Sequence, residues 1–367
     1  MRVIIAGGGT GGHINPGIAI AKQIMQKYPG SDIRFIGTAR GLETKLVPRE
    51  GFKLELIKVK GFRRKLSLDT LVSIKEMFQG FWEAGNIIRK FKPDVVIGTG
   101  GYVCGPVLFN ASMMRIPTLI HEQNAFPGVT NKILSRFVDA VAISFKESEQ
   151  YFKNAKKLIL TGNPVRSELL QVNRVSARQK IGIGKDKNLV VVMGGSLGAE
   201  KINDTVVEMI KTHYKSNDCN IMFGTGNSQY ESVSKRIEQV KLPSLEVVPY
   251  IYDAANVYAA ADLIVCRGGA ITCSELAVLG VPSIMIPSPN VTANHQEHNA
   301  RALEKQGASV VILERELKPD LLYNQITGML KNKERLNKMA KDAKKIGISN
   351  ATEKICCIID EILKDKQ

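Results

Sequence analysis

Twice along this chain a short apolar run ends in a cluster of glycines that leads straight into a helical pattern. Val3-Ile4-Ile5-Ala6 runs into Gly7-Gly8-Gly9-Thr10-Gly11-Gly12-His13, and Leu189 to Met193 runs into Gly194-Gly195-Ser196-Leu197-Gly198. A continuous apolar run suits a strand buried on both faces, as in parallel sheets covered by helices. After the first, Ile14 to Tyr28 carries Ile18, Ile20, Ala21, Ile24 and Met25 on an inner face, with Pro16 in its first turn. The alternation continues with strands at 33–36, 54–57, 95–97, 117–120 and 140–143, a helix over 70–91 and a loop at Gly98-Thr99-Gly100-Gly101. After the restart come a helix at 201–211 and strands at 221–223, 245–248, 263–266 and 283–286. This order predicts an α/β protein of two Rossmann-like, doubly wound parallel-sheet domains rather than one large sheet.

A length of 367 residues agrees with two domains. The turn-rich stretch Thr161 to Arg166 marks the expected join, giving domains over 1–163 and 164–348. A last amphipathic helix over 349–367 carries Ile355, Ile358, Ile359 and Ile362 at helical spacing and is expected to return to the first domain. A hydrophobic fraction of 44% with 23% charged residues excludes disorder and fibrous repeats. No apolar run approaches the ~20 residues of a spanning helix. Met1-Arg2 leads directly into the first strand, so no signal peptide is expected. Six cysteines without a Cys-x-x-Cys pair, beside five histidines, predict buried thiols in a reducing cytoplasm and no structural zinc. Lys+Arg 51 against Asp+Glu 35 leaves +16, which favours an anionic partner: nucleic acid, an acidic membrane face or a phosphorylated substrate.

Gly7, Gly9 and Gly12 match the dinucleotide fingerprint, but the second strand ends Ile36-Gly37-Thr38 with no acid to hold a ribose, so NAD is not expected. The broader use of such a loop is to bring backbone N–H groups and a helix N-terminus to a phosphate or a developing oxyanion. Arg267-Gly268-Gly269-Ala270-Ile271-Thr272-Cys273-Ser274-Glu275 offers the same in the second half, where Thr272 and Ser274 can donate to phosphate and Glu275 can accept two ribose hydroxyls. The alternative is a plain capped helix with Glu275 favouring its dipole. His13 at a helix start, His121-Glu122-Gln123-Asn124 after an apolar strand, and Asn294-His295-Gln296-Glu297-His298-Asn299 after another fall where open α/β sheets bind ligands, and are expected to converge on a cleft. His13 could also be a plain polar residue at a helix N-terminus, and either of the other two clusters a solvated loop.

Set in order, Gly9 to His13, Gly100-Gly101-Tyr102-Val103, His121 to Asn124, Gly162-Asn163-Pro164-Val165-Arg166, Gly194-Gly195-Ser196, Ala270 to Glu275, and His295-Gln296 with Asn299-Ala300 resemble the MurG family of peptidoglycan N-acetylglucosaminyltransferases over nearly the whole chain. The resemblance implies a GT-B fold of two Rossmann-like domains facing a deep cleft and an inverting transfer of GlcNAc from UDP-GlcNAc to the MurNAc 4-hydroxyl of lipid I, giving lipid II. No metal and no cofactor are implied. The first domain would face acceptor and membrane and the second would hold UDP-GlcNAc. By position, Thr10, Gly11 and Gly12 would approach the sugar and diphosphate, and Asn124 the sugar. Arg166 and Ser196 would serve the diphosphate side and Ile251 would offer its backbone to uracil. Ala270, Ile271, Thr272, Cys273, Ser274 and Glu275 would hold phosphate and ribose, and Gln296 would meet sugar hydroxyls, with His295 as the fallback in that alignment. Gly268 stands where relatives more often carry Ser or Ala, which predicts a more flexible loop. His13 is the expected general base, kept neutral by the helix dipole, with Glu122 as rival.

Lys58 to Lys92 adds a basic, apolar segment. Lys58, Lys60, Arg63, Arg64 and Lys65 precede a helix bearing Leu71, Ile74, Met77, Phe78, Phe81 and Trp82, and Arg89, Lys90 and Lys92 close it. Part of that face must pack on the sheet; the rest reads as an interfacial patch for an anionic membrane. The resemblance favours this reading, since lipid I is membrane-held, and places the protein on the cytoplasmic membrane face, with other cell-wall synthesis proteins as further partners. No nucleic-acid signature accompanies the charge. The competing functions are a UDP-GlcNAc 2-epimerase, another GT-B UDP-sugar transferase, and a non-enzymatic nucleotide-sugar or nucleic-acid binding module.

Overall fold

In a computed structural model the chain forms two compact units, Met1–Pro164 with Asn350–Gln367, and Val165–Ser349. Residues 1–59, 68–195, 197–214, 219–240 and 242–366 are described, over 68–77 as backbone alone. The first unit is built from β1 (Arg2–Gly7), α1 (Gly11–Lys27), β2 (Asp32–Gly37), α2 (Glu43–Arg49), β3 (Lys53–Leu56), α3 (Leu68–Phe91), β4 (Val95–Gly100), α4 (Cys104–Met113), β5 (Thr118–Glu122), α5 (Val129–Leu134), β6 (Ala140–Ile143) and β7 (Leu158–Leu160). The second contains α6 (Ser167–Gln171), α7 (Arg174–Lys180), β8 (Asn188–Met193), α8 (Glu200–His213), β9 (Cys219–Gly224), α9 (Tyr230–Ile237), β10 (Leu245–Val248), α10 (Ala254–Ala260), β11 (Leu263–Cys266), α11 (Ala270–Leu279), β12 (Ser283–Met285), α12 (His295–Lys305), β13 (Ser309–Val311), α13 (Pro319–Lys331) and α14 (Lys333–Ile346). The last helix, α15 (Ala351–Lys364), belongs to the first unit.

Both sheets are parallel and doubly wound, ordered β3-β2-β1-β4-β5-β6-β7 and β10-β9-β8-β11-β12-β13. Alternation along each strand divides the core. In the first unit Val3, Ile5, Val95 and Ile97 meet Ile14, Ile20 and Ile24 of α1 and Ile355, Ile358, Ile359 and Ile362 of α15. Ile4, Ala6, Val96 and Ile120 point to the opposite face, against Ala84, Ile88, Val107 and Leu108. In the second unit Val190, Val192, Phe223 and Val265 pack on Ile202, Val206 and Ile210 of α8 and on Leu322 and Ile326 of α13.

Strand order reverses between β1 and β4 and again between β8 and β11. Ligands of open α/β sheets bind at the carboxyl ends of strands at such switch points. All four switch-point strands here are followed by glycine-rich turns. Some boundaries differ from expectation. β4 runs on through Gly98-Thr99-Gly100, and β5 takes in His121 and Glu122, because backbone pairing continues past the last apolar side chain. α4 and β13 escape the periodicity, the one because Gly105 and Pro106 interrupt it and the other because it is three residues long. Five cysteines are buried, but Cys357 is exposed on α15.

Candidate active site

In the first unit the glycine loop bends out of β1 and enters α1 at Thr10, whose extended backbone (φ −126°, ψ 155°) caps the helix. The Thr10 carbonyl accepts from the N–H groups of His13 (3.1 Å) and Ile14 (3.2 Å), which sets His13 in the first turn. Thr10 and Gly12 are exposed, Gly11 and His13 half-buried. His13 Nδ1 lies 3.0 Å from the Gly8 carbonyl. A carbonyl only accepts, so Nδ1 carries the proton, and in the neutral ring Nε2 keeps the basic lone pair. Gly100, at φ +113°, supplies the wall beside the ring; a Cβ there would lie 2.6 Å from His13 Cδ2.

The His121 to Asn124 cluster divides into different roles. His121 is buried, with Nε2 donating to the Gly162 carbonyl (3.1 Å) and Nδ1 accepting from Gln123 Nε2 (3.0 Å). Burial pushes its imidazole down to about 4, so it is neutral. Gln123 also donates to the Thr99 carbonyl (2.8 Å) and Asn163 Nδ2 to the Gln123 carbonyl (3.0 Å), which ties β4, β5 and the 162–163 turn together. Glu122, expected as rival base, is 2% exposed and accepts from Asn124 N (2.9 Å), Asn124 Nδ2 (3.2 Å), Gly128 N (3.1 Å) and Asn131 Nδ2 (2.8 Å). Four donors reach its two oxygens, so this carboxylate shapes the loop to α5 and braces the half-buried Asn124.

In the second unit Gly269 caps α11 and the first turn points its N–H groups past β11. Ala270, Ile271, Thr272 and Ser274 are half-buried. Cys273 has its side chain buried, as expected of the thiols, with Sγ 3.7 Å from Met285 Sδ, and burial raises its thiol well above the ordinary range. Glu275 is 3% exposed and both its oxygens are taken by Arg166, Nε to Oε1 at 2.7 Å and Nη2 to Oε2 at 3.0 Å. Burial raises the Glu275 carboxyl against the pull of that guanidinium, which also lies over the Tyr258 ring at 5.7 Å. Each Glu275 oxygen accepts one bond from Arg166, so ribose hydroxyls have either to share the carboxylate with Arg166 or to displace it. Ser196 lies outside the described residues. Ile251 is half-buried against Gly224 and follows Tyr250, which meets Tyr252 edge-on at 5.1 Å.

Gln296 sits at the start of α12, where its Oε1 accepts from Ser288 N (2.9 Å), so its NH2 is the group it can offer. His295 turns instead to the Thr292 carbonyl (2.8 Å). At Gly268 close approach is what excludes a side chain: a Cβ there would collide with the Gln296 carbonyl, and Asn299 Nδ2 donates to the Gly268 carbonyl at 3.1 Å. The sequence reading missed Glu43. It is buried on α2 and supplies the carboxylate that the end of β2 lacks. Its only sequence signal is its place after Gly37 and Gly41.

Two family models match the chain, the glycosyltransferase family 28 N-terminal domain over residues 3–143 and the C-terminal domain over 189–355. A relative from Acetivibrio thermocellus, named UDP-N-acetylglucosamine--N-acetylmuramyl-(pentapeptide) pyrophosphoryl-undecaprenol N-acetylglucosamine transferase, is 65% identical over 100% of this chain and 99% of its own. The crystal structure of Acinetobacter baumannii MurG is 30% identical, covers 98% of this chain and 99% of its own, and superposes with a TM-score of 0.81. A UDP-GlcNAc 2-epimerase from Neisseria meningitidis, 15% identical over 100% of both chains at a TM-score of 0.67, shares the fold alone.

Proposed function

The chain belongs to glycosyltransferase family 28, and from that membership we propose that it transfers N-acetylglucosamine from UDP-GlcNAc to lipid I, giving lipid II for peptidoglycan. The observation that carries this is full-length likeness, at 65% identity, to a relative named for that reaction. The epimerase alternative has only fold likeness behind it.

The chemistry assigns the residues. The acceptor 4-hydroxyl oxygen bonds to the anomeric carbon from the face opposite UDP, the sugar–phosphate bond breaks, and configuration inverts. The hydroxyl proton needs a base, and His13 Nε2 fits because Gly8 holds the other nitrogen protonated. Thr10, Gly11 and Gly12 present the start of α1 to sugar and phosphate, and Asn124, braced by Glu122, presents its amide to the sugar. In the second unit the first turn of α11 favours the diphosphate and the charge that builds on the leaving group. Arg166 moves to the diphosphate as ribose hydroxyls replace it on Glu275. Ile251 gives its backbone to uracil, Gln296 its NH2 to a sugar hydroxyl and Ser196 its hydroxyl to the diphosphate side. Cys273 contributes only backbone.

Membrane attachment is peripheral in this reading. Among the described residues no helix is long and apolar enough to cross a membrane. Phe78 and Trp82 on α3, Met113 on α4, and Val129 and Ile133 on α5 are exposed on helices that pack in succession, and Arg89 and Lys90 on α3 and Arg136 just after α5 are exposed as well. Lys60, Arg63, Arg64 and Lys65 lie outside the described residues, as do the side chains of Leu71, Ile74 and Met77.

The test is incubation with labelled UDP-GlcNAc, with and without a short-chain lipid I analogue. Labelled lipid II only in the presence of the analogue supports the transferase; UDP-ManNAc without acceptor replaces it by the epimerase. His13→Ala should lower kcat by about 10²- to 10⁴-fold and abolish the acidic limb of the pH–rate profile.

A further inference from the structure

A buried carboxylate on the far side of the first glycine loop has no part in this chemistry as described. Glu43 opens α2 with no solvent exposure. Its Oε2 accepts from Gly9 N at 2.9 Å, and its Oε1 accepts from both Thr38 N and Thr38 Oγ1 at 2.8 Å. The surrounding backbone leaves room for this group alone. A Cβ on Gly8 would lie 2.7 Å from Glu43 Oε1, one on Gly37 would lie 2.5 Å from Cγ, and one on Gly41 would overlap the carboxylate. Burial works to raise the carboxyl pKa, yet the hydrogen bonds from Thr38 and Gly9 hold it below the ordinary range, so Glu43 is an anion.

The N–H of Gly9 and the carbonyl of Gly8 are the two ends of one peptide group. Glu43 holds the first, and His13 Nδ1 donates to the second. A carboxylate on an amide N–H draws electron density toward the carbonyl oxygen and makes it a better acceptor. We propose that Glu43 is a positioning residue for His13: through the Gly8–Gly9 peptide it fixes the imidazole in its Nδ1–H form with Nε2 presented to the substrate. The logic is that of a carboxylate orienting a catalytic histidine, with one peptide group interposed. The neighbouring strand end holds the preceding peptide by its N–H and crowds the Gly8 carbonyl. Gly8 N donates to the Gly100 carbonyl at 3.3 Å, and a Cβ on Gly101, at φ +88°, would lie 2.6 Å from the Gly8 oxygen.

The inference rests on His13 being the base, and its test separates the two. ¹⁵N NMR of histidine-labelled full-length protein reads the His13 tautomer directly. Wild type should show Nδ1–H; an Nε2–H tautomer overturns the proposal with no variant needed. Glu43→Gln keeps the volume but sets an NH2 against Gly9 N–H or Thr38 N–H, so one donor loses its acceptor. The variant should gain a visible Nε2–H fraction and lose kcat on the order of 10-fold or more, with the UDP-GlcNAc KM nearly unchanged. In a His13→Ala background the same substitution should cost nothing further. An unchanged tautomer in the folded variant, or an equal loss of kcat with and without His13, overturns the positioning role. If His13→Ala keeps near-normal kcat while the tautomers behave as expected, the base assignment fails and the positioning geometry stands.

Discussion

At the residue scale the Arg166–Glu275 pair decides most. Glu275 is buried and its partner is 46% exposed on the side chain, so the guanidinium can leave while the carboxylate stays. Glu275→Ala should then raise the UDP-GlcNAc KM by about 10- to 100-fold, the loss of a charged acceptor for two hydroxyls, with little change in acceptor KM. Steady-state kinetics against each substrate check this; a lower Tm with unchanged donor KM would make the pair purely structural. Much of the site can be read in the sequence because a glycine run between a strand and a helix fixes where backbone N–H groups point. Side-chain destinations are harder. His121, Glu122 and Asn124 look alike as polar residues at a strand end, yet one is locked in a buried network, one braces a loop and one is half-buried beside it. That division depends on Gly162, Asn131 and Gly128, which are 41, 9 and 6 residues away from their partners in sequence. Glu43 shows the same limit, since its partner Gly9 is 34 residues distant.

At the scale of elements, α3 divides between core and solvent. Ala84, Ile88 and Phe91 are in the core, and Phe81 stacks edge-on with Phe109 at 5.7 Å, which meets Phe137 at 5.2 Å. Phe81, read from sequence as part of an interfacial patch, therefore belongs partly to packing. Phe78 and Trp82 are 67% and 68% exposed and are the ones to test. Phe78→Ser with Trp82→Ser should release the protein from anionic vesicles in a flotation assay, and wild-type binding should weaken with salt as screening shortens to about 8 Å at physiological ionic strength. Undiminished flotation of the folded double variant would remove these side chains from the membrane contact. Strands were legible for a related reason. Runs such as Val3 to Ala6 are buried on both faces and need no alternation to be recognised, whereas α4 has glycine and proline in its first turn and no moment to betray it.

At the scale of the molecule, the two units should differ in their response to acid. In the first, burial holds His121 at about 4, below the 6.5 of an ordinary imidazole. The unfolded chain binds that proton as pH falls below about 6.5 while the folded chain refuses it until about 4, so stability is lost across that window. Between about pH 7 and pH 5 the loss is on the order of 2 kcal/mol for this one fully buried group. At lower pH three carboxyls of the same unit add to it. Glu43, Asp139 and Asp360 are held below their ordinary values by hydrogen bonds that outweigh burial, so their stabilisation is present above the ordinary carboxylate range and fades as pH falls through the folded values. In the second unit Asp253 and Asp342 act in the same sense at low pH, held down by Lys180 and by Lys338 and Lys345, but Glu275 has the opposite sign. Burial raises its carboxyl, so protonation comes earlier in the folded state and acid relieves a cost. Hydrogen exchange, corrected for intrinsic rate, should therefore show β5 and β6 amides losing protection from about pH 7 to pH 5 while β8 and β11 amides change little. His121→Gln should flatten that dependence in the first unit whatever it does to stability at neutral pH. Parallel loss of protection in both sheets, or a slope that survives the substitution, would place the acid sensitivity elsewhere than in the buried imidazole of β5.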